Sequence, residues 1–135
     1  MKKILVTIDY AGKNFTAATG HINGVVIATG KTLDEVKRKF EEAFGLHVDG
    51  SLADGDELPE WVVGGEYEFD YELSVSALLQ HFDGILTRAA LAKVTGINER
   101  QLGHYATGHR KPRPEQRKRI INGFHKLGNE FSTVE

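Results

Sequence analysis

The 135-residue chain contains no cysteine, which removes disulfides, thiolate metal sites and a cysteine nucleophile from consideration. It also lacks any long apolar run. The first, Ile4 to Ile8, is closed by Asp9 and is too short for a signal peptide or a membrane span, so no membrane partner is expected and a cytoplasmic location is the default. A third absence is regional. Residues 49–83 carry ten Asp or Glu and no Lys or Arg. Residues 84–135 carry ten Lys or Arg against four Asp or Glu, and residues 1–48 carry seven against five. The overall charge of −2 therefore hides an acidic middle beside a basic end, and that asymmetry suggests two different partners. The length suits one ordinary domain or two small ones. Each of two small domains is marginal alone, which favours a shared or dimeric core.

The expected fold class is α+β. Ile4, Val6 and Ile8 alternate in a first strand, and Asp9 to Asn14 reads as a turn. Runs at Phe15 to Ile22 and Val25 to Thr29 flank Asn23-Gly24, a strong hairpin signal because both central residues of a type I′ turn need positive φ. These three runs predict an antiparallel meander. After Gly30, the sequence Thr32-Leu33-Asp34-Glu35 is a capping box. Leu33, Val36, Phe40, Ala43 and Phe44 then place an amphipathic helix from Leu33 to about Leu46, its apolar stripe across the sheet. Residues from His47 to Pro59 read as an acidic loop.

From Glu66 to Leu73 the chain alternates without a break. Tyr67, Phe69, Tyr71 and Leu73 fall on one face of a strand, and Glu66, Glu68, Asp70 and Glu72 on the other. A strand with one solvated face accounts for this pattern. A docking surface for a basic partner also accounts for it. A metal site is not favoured, since no His or Asn is interleaved to complete a coordination sphere, and no cofactor is expected.

At Ser74 the period becomes helical. Ser74 can cap a helix through Val75, Leu78, Leu79 and Phe82, ended by Asp83-Gly84. Thr87 caps Arg88 to Val94, Gly96 supplies a left-handed turn, and Asn98 caps Glu99 to Ala106. Gly108 ends that helix, and Pro114 opens a last one through Ile120, Ile121, Phe124 and Leu127. Arg88 to Tyr105 thus has the spacing of a helix-turn-helix. Ala92 is small at the close approach, and Leu91, Ile97, Leu102 and Tyr105 point inward. The second helix of such a pair presents Glu99, Arg100, Gln101 and His104 to base edges. Arg suits guanine, Gln adenine and Glu the amino group of cytosine. Arg88, Thr107, Arg110, Lys111 and Arg113 are placed for phosphates. A helical pair that merely packs is the bland alternative.

The stretch Leu86-Thr-Arg-Ala-Ala-Leu-Ala, with Thr95-Gly-Ile-Asn, Gln101-Leu-Gly-His-Tyr and Gly108-His-Arg-Lys-Pro112, resembles the lambda-repressor and Cro type of domain over Ser74 to Leu127. Ala106 departs from the acidic residue common at that point. Val26-Ile-Ala-Thr-Gly-Lys-Thr-Leu-Asp-Glu-Val36, followed by Asp54-Gly-Asp-Glu-Leu-Pro59, is similar to the N-terminal domain of HicB antitoxins. That resemblance implies a partial ribonuclease-H-like domain at 1–73, which binds a small basic HicA-like ribonuclease toxin or dimerises, and a DNA-binding domain at 74–135. It implies an antitoxin that represses its own operon. The alternative is a stand-alone regulator whose N-terminal domain dimerises or senses a ligand.

A ribonuclease-H-like fold raises the question of catalysis. Asp9 stands where a catalytic carboxylate can sit, but a two-metal nuclease needs several converging carboxylates, and opening a turn is the ordinary role for this residue. His21 and His47 have no partnered carboxylate or nucleophile placed by sequence, so no enzyme activity is expected. A homodimer is expected, because two reading helices must meet two half-sites about one helical turn apart. Its interface is either the edge of the Tyr67 to Leu73 strand or the last helix with Phe124, Leu127 and Phe131.

Overall fold

A computed structural model describes residues 1–20 and 24–135. It is a mixed α+β chain that divides into two compact units, Met1–Ser74 and Val75–Glu135. Among the described residues no helix is long and apolar enough to cross a membrane.

The first unit is built on strands β1 (Lys2–Ala11), β2 (Asn14–Thr19) and β3 (Val26–Gly30). Each pairs antiparallel with the next. Alternate residues Ile4, Val6 and Ile8 of β1, and Phe15 and Ala17 of β2, are buried, as period-two patterning requires. The first turn is tighter than the expected Asp9 to Asn14. Tyr10 pairs with Phe15 and Ala11 with Asn14, and the Tyr10 and Phe15 rings meet edge to face at 5.0 Å. These contacts carry the ladder past Asp9, leaving the reversal to Gly12, at φ 66°, and Lys13. Asp9 therefore lies within a strand and does not open the turn. The Asn23 half of the expected hairpin turn, the end of the Phe15 to Ile22 run, and His21 lie outside the described residues.

Helix α1 runs Leu33–Ala53, about two turns beyond the expected end at Leu46, and takes in half of the expected loop. The buried series Val36, Phe40 and Phe44 continues into Val48 and Ser51. A face at helical spacing that continues to be buried outweighs the cost of Gly45 and Gly50. The Thr32 hydroxyl accepts the Glu35 amide at 3.1 Å. At Gly30 an added Cβ would stand 2.7 Å from the Val36 backbone nitrogen, so glycine there lets β3 close on the first turn of α1. The single-turn helix α2 (Glu60–Val63) follows Pro59, and strand β4 (Tyr67–Leu73) completes the unit.

The meander is thereby enlarged to a four-stranded mixed sheet of order β3-β2-β1-β4, with β4 parallel to β1. A parallel neighbour needs a long crossover, which residues 31–66 supply. Beneath the sheet Phe69 meets Phe40 at 5.3 Å and Phe44 at 5.1 Å, both edge to face, an arrangement that adds about 0.5–1.5 kcal/mol per pair beyond area burial.

The second unit consists of helices α3 (Val75–Phe82), α4 (Arg88–Thr95), α5 (Glu99–Ala106) and α6 (Pro114–Phe131). Val75, Leu79, Leu91, Ile97, Leu102, Tyr105 and Ile120 share one core. Gly123 seats α6 on α4, where an added Cβ would lie 2.8 Å from Thr95 Cγ2.

Candidate functional sites

Short helices leave most of their terminal amides and carbonyls without intrahelical partners, and the second unit meets this with side chains. The Thr87 hydroxyl accepts the Ala90 amide at 3.0 Å and the Asn98 side chain accepts the Gln101 amide at 2.8 Å. Gly96 takes φ 73° between them. The far end of α5 is held from α3, where Ser76 Oγ and Gln80 Nε2 both donate to the Ala106 carbonyl, at 3.0 and 2.8 Å. The turn is held from α6, where Arg119 donates through Nη2 to the Gly96 carbonyl at 2.9 Å and through Nη1 to Gln116 at 3.1 Å.

On this frame Leu102, Tyr105 and Ala106 of α5 face the core, while Glu99 and Arg100 stand exposed on its first turn. Gln101 is half-buried, and its amide donates to the Tyr105 hydroxyl at 2.9 Å. His104 follows Arg100 by one turn. Its Nδ1 is sealed from solvent without a hydrogen-bond partner, and its ring lies 5.0 Å from that of His109. Loss of solvation first, then the charges of His109, Arg100 and Arg110, hold His104 below the ordinary histidine range, so the neutral ring is favoured.

The residues expected at phosphates fall in two places. Arg88 pairs with Asp83 at 3.7 Å. Its Nη1 crosses Gly103 so closely that a Cβ there would be 3.2 Å away, which brings the guanidinium beside α5. Thr107 ends α5, its hydroxyl donating to the Gly103 and His104 carbonyls at 3.2 and 3.3 Å. Arg110, Lys111 and Arg113 are exposed between α5 and α6. Arg119, Ser76 and Gln80 were not among the expected site residues. A left-handed turn at Gly96 does signal a carbonyl in want of a donor, but nothing local says which distant side chain reaches it. The apolar part of α6 flanks a groove of about 400 Å³ whose walls include Leu78, Phe82, Phe124, Leu127 and Phe131.

In the first unit, β4 alternates as expected. Glu68, Asp70 and Glu72 are exposed, and Tyr67, Phe69, Tyr71 and Leu73 are half-buried. Glu66 is also exposed, one residue before the strand. Tyr71 donates to Glu41 Oε2 of α1 at 3.1 Å, and Lys37 Nζ stands 4.9 Å from its ring centre. Burial, followed by the Glu41 charge and its hydrogen bond, raises the Tyr71 phenol above its ordinary pKa. Asp9 Oδ1 accepts from Ser74 Oγ at 2.6 Å and from the Tyr10 amide at 2.8 Å. The carboxylate thus fastens β1 to the residue after β4. His47 is half-buried within α1. Among the described residues no group of three or more His, Asp or Glu is placed to hold a metal ion. No protein-family model, curated protein or solved structure matches this chain.

Proposed function

We propose that the chain is an antitoxin of the HicB kind, acting by binding and without catalytic activity of its own. Its second unit is a helix-turn-helix that binds operator DNA as a homodimer and represses the operon. Its first unit neutralises a small, basic, HicA-like ribonuclease. The observation that carries the DNA half is the pair α4 and α5, each capped at its start by a side chain. Arg100 is exposed on the first turn of α5, and Arg110, Lys111 and Arg113 follow it. A helix held by its buried face, with its N-terminal turn free, suits entry into a major groove. The toxin half rests on the exposed carboxylates of β4 in a segment without a single cation. The groove beside Phe124, Leu127 and Phe131 favours the last helix as the dimer contact.

Selection from random DNA, followed by titration over a range of salt, tests the DNA half. Arg100→Ala and His104→Ala are expected to weaken the selected site by about 1–3 kcal/mol while sparing non-specific DNA. Lys111→Ala is expected to weaken both and to lower the salt slope by about one. Equal losses on every sequence for Arg100→Ala would move that side chain to a phosphate. For the toxin half, a neighbouring reading frame for a basic protein too small for more than one marginal domain is expected. Glu68→Lys with Asp70→Lys should abolish its capture and leave DNA binding intact. With no such frame and no captured partner, the chain is a stand-alone regulator.

A further inference from the structure

The backbone of β4 carries information that its carboxylates do not. In a parallel ladder one strand's residues alternate, one turning its N–H and C=O to the neighbour and the next turning them away. The bonds that fix this phase are Lys2 N–H to the Glu66 carbonyl at 3.3 Å and Ser74 N–H to the Ile8 carbonyl at 2.8 Å. With the register Lys2 to Tyr67 through Ile8 to Leu73, the groups of Glu68, Asp70 and Glu72 face β1. Those of Tyr67, Phe69 and Tyr71 face the opposite way. No described strand lies there, because β4 ends the sheet. The same edge borders a groove of about 410 Å³ lined by Glu41, Gly65, Tyr67, Glu68, Phe69 and Tyr71.

We infer that this edge of β4 takes an extended basic segment of a partner protein as a fifth strand, reading it by backbone pairing with Tyr67, Phe69 and Tyr71. The inference deepens the toxin half of the proposed function by naming the mode of capture. Three features select the occupant. Every second side chain of an added strand stands beside Glu68, Asp70 and Glu72, at a cross-strand distance of about 4.5–5.5 Å. On the β1 side, the neighbours of these three in register are Lys3, Leu5 and Thr7, so Asp70 and Glu72 have no cation beside them in the sheet. The intervening side chains of the added strand fall on the face of Tyr67, Phe69 and Tyr71, whose rings line the groove and suit apolar groups. An occupant with Lys or Arg alternating with apolar residues meets both sets.

A second copy of this chain meets neither. Pairing β4 with its twin sets one row of carboxylates against another, and like charges directly opposite are destabilising. Edges are commonly guarded by lysine, proline or a bulge. The sequence of β4, YEFDYEL, contains neither lysine nor proline. Its carboxylates exclude its own copies and admit a cationic strand.

The test uses the full chain and a blocked peptide of about seven residues alternating Lys and Val. One control has the same composition with the lysines in a block. A second is N-methylated at the residues whose amides would face β4. Binding is followed by titration and by exchange of the Phe69 and Tyr71 amides. The alternating peptide is expected to slow exchange at these amides and to bind at least about tenfold tighter than either control, a difference of about 1.4 kcal/mol. Glu68→Gln with Asp70→Gln should cost a similar factor.

Equal binding of the N-methylated peptide would overturn the inference, reducing β4 to a charged face while leaving the antitoxin reading intact. Exchange at Phe69 and Tyr71 that slows with protein concentration alone would overturn it in favour of a second copy. If the peptide binds as expected and no basic partner is encoded nearby, the edge stands and the antitoxin reading falls.

Discussion

The two units are held together differently. In the second, the bonds that define the helices are mostly local: Thr87 to Ala90, Asn98 to Gln101, Thr95 Oγ1 to Leu91 at 2.7 Å. In the first, the bonds that define the sheet's outer strand join residues far apart in the chain. Ser74 reaches Asp9 across 65 residues and Tyr71 reaches Glu41 across 30. A helix whose caps lie within its own neighbourhood can present a side-chain surface on few residues. A strand whose register is set by a distant partner presents its backbone as well, and only when the whole unit is assembled.

The sharpest way to break this comparison is to unfold one unit alone. Phe40→Ala removes a fully buried ring from beneath the sheet and should cost about 3–5 kcal/mol. Trp61, the chain's one tryptophan, lies in the first unit and reports on it by fluorescence. Leu102→Ala, from a side chain 0% exposed, should cost about 2–5 kcal/mol and is read by exchange at the amides of Leu91 and Ile120. Each substitution is expected to move the reporter of its own unit and leave the other's midpoint in place. Joint movement of both reporters would show that the units unfold as one.

A smaller effect tests the turn. Gly96→Ala places a Cβ at φ 73° and 2.7 Å from Arg119 Nη2. The left-handed backbone alone costs about 1–2 kcal/mol, and denaturant unfolding should show at least that loss. Arg119→Ala leaves the backbone free and should cost less. Below it stands the cap: Asn98→Ala should cost about 1 kcal/mol, and Asn98→Gly only a few tenths.

The smallest effect is a titration. His104 is held below its ordinary pKa, so the folded state binds this proton less readily than the unfolded one. Its contribution to stability is complete above the unfolded-state value of about 6.5. That contribution is lost as pH falls through the lowered folded value. A proton-detected titration of the ring should give a midpoint beneath 6.5, and His109→Ala should raise it by removing one of the opposing charges. A midpoint at or above 6.5 would contradict the sealed Nδ1.

What could be read from the chain follows the same division. Caps at Thr32, Thr87 and Asn98, the turn at Gly96 and the alternation of Tyr67 to Leu73 are written within a few residues, and each has its counterpart in the structure. The length of α1 was not readable in this way. Gly45 and Gly50 are breakers by local propensity, and only the burial of Val48 and Ser51 in the folded unit makes the longer helix favourable. The parallel placement of β4 was also illegible, because alternation gives a strand its faces but not its neighbour. For the site, the exposure of Arg100 and the burial of Leu102 follow from spacing. The grip of Arg119 on Gly96, and the turning of Gln101 to Tyr105, depend on where helices finally meet.

The parallel pairing of β1 with β4 also sets an order of events in time. Strand β1 has its neighbour β2 close by in the chain, but its other side waits for residues 67–73. Closing so long a loop costs chain entropy before any ladder bond is formed. A meander under α1 is therefore expected to assemble early, with β4 as the last strand to dock and the first to leave. Until it docks, Phe40 and Phe44 lack their cover of Phe69, and the acidic row has no surface on which to be displayed. Placement of β4 and completion of the first unit are then expected to be one kinetic step.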